Sequence, residues 1–159
     1  MFGRRGLTFE RVQTNPERYF RSLRRAKPSV LILDMGTNDL CSPEMDPTQL
    51  YSVYSEFVHS LSDNDVHSEI VVSLPVLPRT GSMRRGQVSL EVFNSRAEEF
   101  NNKLFEGTFV EDLWWVWGHR GLKHRRYSLD GVHLNRLGTI QYERTLRQIV
   151  KFFEYRCWC

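Results

Sequence analysis

The chain predicts an α/β fold, a parallel sheet with helices packed on both faces. Two observations support this. Short apolar runs alternate with amphipathic stretches long enough to cross over a sheet. The run Val30 to Leu33 is apolar without interruption, as expected of a strand covered on both sides.

Taken in order, Pro16 to Ala26 is the first clear helix. Proline suits its first turn, Tyr19, Phe20 and Leu23 recur at helical spacing, and Asn15 is a candidate N-cap. Lys27-Pro28 closes it, and the strand Val30 to Leu33 follows. "TNDLCSPEMDP" reads as a loop, and Asp46-Pro47 opens a helix through about Leu61. Leu50, Val53, Tyr54, Phe57, Val58 and Leu61 share one face of that helix. "EIVVSLPVLPR" is a second buried strand, ended by Pro75 and Pro78. Ser89 to Phe105 is a helix burying Val92, Phe93, Ala97, Phe100 and Leu104. "TFVEDLWWV" is read as a third strand. After a long loop, Asn135 can cap a last helix to about Tyr155, with Leu137, Ile140, Leu146, Ile149, Val150 and Phe153 as its apolar set.

At 159 residues, with 40% hydrophobic and 26% charged residues, this is one globular domain. No apolar run approaches the roughly 20 residues of a bilayer span, so no membrane role is expected. "MFGRRGLTFERV" lacks the apolar core of a secretion signal, which makes a cytoplasmic location the expectation. Cys41, Cys157 and Cys159 form no disulfide framework, and no ligand set for a metal accompanies the Cys-Trp-Cys ending. The net charge of +3 is uneven, with basic clusters near the N-terminus, at "MRRG" and at "HRGLKHRR". Such clusters can contact nucleic-acid phosphates, but solvated faces explain them as well.

Two short motifs carry chemistry. Gly36-Thr37-Asn38-Asp39 follows a strand end, where sheets of this class place their sites. Asn38 offers an amide N–H that can hold an oxyanion, while a plain turn is the other reading. In "DGVHLN", Asp130 can accept a hydrogen bond from His133 Nδ1–H and leave Nε2 as a general base. Capping of the following helix is the other reading.

Together, "GTND" and "DGVHLN" resemble the third (G-x-N-D) and fifth (D-x-x-H) signature blocks of the SGNH, or GDSL-type, hydrolases. The resemblance covers nearly the whole chain and implies a three-layer α/β/α flavodoxin-like parallel sheet. It assigns His133 as the general base, Asp130 as the residue that orients it and Asn38 as an oxyanion donor. Gly36 and Asp39, in the same block, become substrate-binding candidates. "GRRGLTFERV" looks like the second block, with Gly6 (or less well Gly3) as a backbone oxyanion donor. No metal or organic cofactor is implied.

The family's nucleophile block, Gly-Asp-Ser, occurs nowhere in the sequence. The expectation is therefore a sheet without its first strand, an open edge along "VLILDM", and a fragment of a longer protein. Ser42, Ser73, Ser128 and Cys41 are the alternative nucleophiles: Ser42 and Ser73 lack the strand-to-helix elbow such a residue needs, the chain position of Ser128 gives no oxyanion geometry, and nothing in the sequence predicts a lowered pKa for Cys41. The expected activity is Ser-His-Asp hydrolysis of a small-molecule ester or an acyl or acetyl group, lost as the chain stands. The second reading is a non-catalytic binding module for an acyl group, a carbohydrate or nucleic acid. Esterase-like domains in the first reading frames of some non-LTR retroelements would give the basic clusters a context.

Overall fold

The computed structural model describes residues 7–68, 70–81, 83–120, 122 and 130–154. Gly3, Gly6, Ser128, Cys157 and Cys159 lie outside the described residues. The elements run α1 (Phe9–Thr14), α2 (Pro16–Ala26), β1 (Val30–Leu33), α3 (Pro47–Asp63), β2 (Ile70–Ser73), α4 (Leu90–Val110), β3 (Trp115–Val116) and α5 (Arg136–Glu154).

Local signals set most boundaries. Lys27 adopts a left-handed conformation, φ 44°, and its N–H closes α2 on the Leu23 carbonyl at 2.9 Å. Asn15 makes no side-chain cap to α2, contrary to expectation, and α2 starts on Pro16 instead. Asp46 and Gln49 form a reciprocal capping box on α3. Asn135 Oδ1 accepts from Gly138 N–H at 2.9 Å in the first turn of α5.

The described strands make a parallel sheet in the order β1-β2-β3, with Val30 opposite Ile70 and Val72 opposite Trp115. Alternation within the strands divides the core. Leu31, Leu33 and Val71 pack with Phe9, Phe20, Tyr54, Phe93 and Phe100 from α1 to α4. Val72 and Leu74, with Val30, Ile32 and Ile70 beside them, pack with Ile149 and Phe153 of α5. The result is the three-layer α/β/α arrangement, with each fully buried large side chain contributing about 1.5–3 kcal/mol. Among the described residues β1 is an edge strand, paired only to β2.

Two segments depart from the sequence reading. Thr108–Val110 is the last turn of α4, and only Trp115–Val116 forms the third strand. The helix continues because Gly107 lets Tyr51 and Trp114 close on its backbone: a methyl there would meet Tyr51 Oη at 2.5 Å and Trp114 Cζ2 at 2.6 Å. Trp114 Nε1–H donates to the Leu104 carbonyl at 3.0 Å, which fixes the turn after the helix. On α5 the buried stripe is Gly138, Thr145, Ile149 and Phe153, while Leu137, Ile140 and Val150 are exposed.

Candidate active site

The Asp130–His133 pair is made within four residues of chain. His133 Nδ1 lies 2.6 Å from Asp130 Oδ2, and Asp130 Oδ1 accepts the backbone N–H groups of Val132 and His133, each at 3.0 Å. These bonds, with that from His133 foremost, hold the Asp130 carboxyl well below the usual carboxylate range. Ionised Asp130 can only accept, so Nδ1 carries the proton and Nε2 is the nitrogen that can take one from a reactant. The His133 side chain is 70% exposed, which leaves that nitrogen reachable.

Gly131 makes this turn possible with φ 64°. Its carbonyl accepts Thr80 N–H at 2.9 Å, docking the His133 loop on the segment after β2. The approach is close enough that a methyl on Gly81 would lie 1.7 Å from the Asp130 carbonyl oxygen.

That segment is itself held by α4. Pro75 and Pro78 cannot donate to a ladder, and two asparagines on one face of α4 supply the missing partners. The Asn101 amide pairs with both backbone groups of Val76 at 2.8 and 2.9 Å, and Asn94 pairs in the same way with Arg79 at 2.8 and 3.0 Å. Neither asparagine stands out in the sequence as a site residue. Their seven-residue spacing among buried apolar neighbours was the available signal. Arg96 does not stand out either. It donates to the carbonyls of Ser42, Pro43 and Met45 and so braces the loop after "GTND".

The "GTND" residues divide. Gly36 is buried at φ 104°, and a methyl there would press on Leu50, Phe100 and Val76. Asn38 is exposed, and its Nδ2 donates to the Leu7 carbonyl at 3.1 Å. Asp39, expected against substrate, is 3% exposed, and its Oδ1 accepts Phe9 N–H of α1 at 2.9 Å. Burial pushes its carboxyl upward, since Oδ2 is enclosed without a partner. Asp39 therefore anchors α1 from inside the core.

A cleft of about 240 Å³ lies beside the pair, lined by Asp34, Thr37, Leu77, Pro78, Arg79, Val132, Leu134 and Tyr142. It joins the ends of β1 and β2 to the His133 loop. Asn38 lies instead on a wider groove of about 570 Å³ with Thr8, Glu10 and Ser42. In the cleft wall Tyr142 OH donates to Asp34, and burial holds this phenol protonated far above its usual range. Behind it, His119 stacks on Tyr142 with ring centroids 5.0 Å apart, and burial lowers its basicity.

The described alternative nucleophiles, Ser42, Ser73 and Cys41, are engaged elsewhere. Ser73 is fully buried and hydrogen-bonded to Tyr54. Cys41 is 3% exposed and donates to the Thr37 carbonyl at 3.0 Å, and burial pushes its thiol up, away from thiolate. Ser42 Oγ accepts Glu44 N–H in a local turn. Among the described residues no group of three or more His, Cys, Asp or Glu side chains could hold a metal, and no helix is long and apolar enough to cross a membrane.

Comparison with protein families identifies the domain as a whole. The model of the GDSL-like lipase/acylhydrolase family matches residues 2–139. The chain belongs to that family. Solved structures agree on the fold. A GDSL-like lipase from Bacteroides thetaiotaomicron VPI-5482 superposes with TM-score 0.67 at 14% identity, over 92% of this chain and 72% of that one. A carbohydrate esterase of family 3 from Talaromyces cellulolyticus gives TM-score 0.64 at 16% identity, over 92% and 69%. A mutant acetyl esterase with acetate ion gives 0.60 at 17%, over 93% and 70%. No curated protein matches the chain.

Proposed function

We propose that this GDSL-family domain carries the acid–base half of a Ser-His-Asp acyl hydrolase for small esters, with the nucleophile supplied by a Gly-Asp-Ser block that its 159 residues do not contain. The observation that supports this most is the 2.6 Å contact of His133 Nδ1 with an ionised, doubly capped Asp130. In the proposed reaction a serine Oγ attacks the ester carbonyl carbon, and His133 Nε2 takes the serine proton. The tetrahedral intermediate collapses, the bond from the acyl carbon to the alcohol oxygen breaks, and His133 gives the proton to that departing oxygen. Water, giving its proton to the same nitrogen, then attacks the acyl carbon; the bond from that carbon to the serine Oγ breaks, the acid leaves, and His133 returns the proton to the serine. Asp130 fixes the tautomer throughout. Asn38 would exchange the Leu7 carbonyl for the oxyanion, and Gly6 N–H would be its second donor. A cytoplasmic location is part of the same proposal.

The test uses p-nitrophenyl acetate. The chain alone is expected to show no turnover above background. Fused behind a Gly-Asp-Ser-bearing strand and helix from a family member, it should hydrolyse the ester, and His133→Ala should remove that activity. His133-dependent turnover by the chain alone would overturn the need for an external serine. A folded fusion without His133-dependent turnover would overturn the acyl-hydrolase reading itself.

A further inference from the structure

We infer that Arg79 makes the cleft beside the Asp130–His133 pair a receptor for a carboxylate, so that the ester taken there carries one. That the ligand is an ester rests on the acyl-hydrolase reading, whereas the anion site does not.

Arg79 is only 8% exposed yet lines the cleft. Its guanidinium lies over the Phe93 ring, 4.6 Å from the centroid. Two weakly accepting sulfurs are near it: Nη1 reaches that of Met83 at 3.6 Å, and the Cys41 thiol lies alongside. Nε is enclosed without a hydrogen-bond partner. Among the described residues no carboxylate forms an ion pair with it. Arginine cannot shed its charge, so an enclosed guanidinium lacking a counter-ion is costly unless a ligand completes it. Arg96 shows the contrast, because three backbone carbonyls satisfy it.

The site is also rigid. Both backbone groups of Arg79 are clamped by Asn94, and Phe93 on the same helix supports the guanidinium face. One acidic group shares the cleft wall, Asp34, and it already accepts the Tyr142 hydroxyl. A planar carboxylate matches the guanidinium fork better than a neutral carbonyl does. The small cleft suits the end of a short chain, such as the free acid of a dicarboxylic half-ester.

The test titrates the full chain with monomethyl succinate and with dimethyl succinate, followed by NMR shifts. The half-ester should bind at least about tenfold more tightly than the neutral diester. Arg79→Lys should weaken half-ester binding by about tenfold, because the ammonium lacks the fork. Arg79→Met should remove the preference for the half-ester. Equal affinity of the wild-type chain for both esters, absence of half-ester binding, or unchanged binding in Arg79→Lys would each overturn the inference. Arg79→Lys keeps the charge and the stem, and it decides the matter should Arg79→Met not fold. No turnover is needed, so loss of the acyl-hydrolase reading and loss of the anion site give different results.

Discussion

The contact between the His133 loop and the segment after β2 predicts a large effect from one added methyl group. Gly81→Ala would place that methyl 1.7 Å from the Asp130 carbonyl oxygen, where side-chain carbons essentially never approach under 3.0 Å. The obstacle is backbone, so no rotamer relieves it, and the segments must part by about 1.3 Å. Parting breaks the Thr80–Gly131 hydrogen bond of 2.9 Å, a loss of about 0.5–1.5 kcal/mol. Residual overpacking adds about 1–3 kcal/mol, nearer the lower bound because both segments are loops that can give way. The expected destabilisation is about 2 kcal/mol, read by urea denaturation. The His133 Nδ1–H signal should shift in the proton spectrum as its loop moves. Gly118→Ala is the control, since nothing lies within 4 Å of the added carbon there. A Gly81→Ala chain within about 0.5 kcal/mol of its parent, with an unmoved His133 signal, would refute the reasoning.

Gly107→Ala should cost about 1–3 kcal/mol in urea and alter tryptophan emission, because its methyl meets the buried Trp114 ring. A silent Gly107→Ala would mean that α4 can slide. Asp39→Asn should change the pH dependence of stability. The folded carboxyl is raised above its unfolded value of 3.8, so its ionisation penalty is absent below that pH and grows as pH rises toward the folded value. Asparagine keeps the acceptor for Phe9 N–H without the charge. Its stability should therefore not show that decline, and an unchanged profile would show that Asp39 is not the group responsible.

The sequence by itself determined the features that close over a few residues or repeat with a fixed period. Asp130 and His133 meet because a four-residue turn through Gly131 brings them together. Val30 to Leu33 packs on both faces because every residue in the run is apolar. Asp46 and Gln49 form their box from neighbouring positions on one turn. Tertiary structure decided whatever depends on distant partners. Thr108–Val110 has strand-like composition but stays helical, because Gly107 admits Tyr51 and Trp114. Asp39 looks like a site residue beside Asn38, yet it turns inward to the N–H of Phe9, thirty positions away. Asn94 and Asn101 take their role only because two prolines leave the facing segment short of partners. Arg79 is one arginine among many in the sequence. Its enclosure against the Phe93 ring, beside a cleft and without a counter-ion, arises only when β2, α4 and the His133 loop come together.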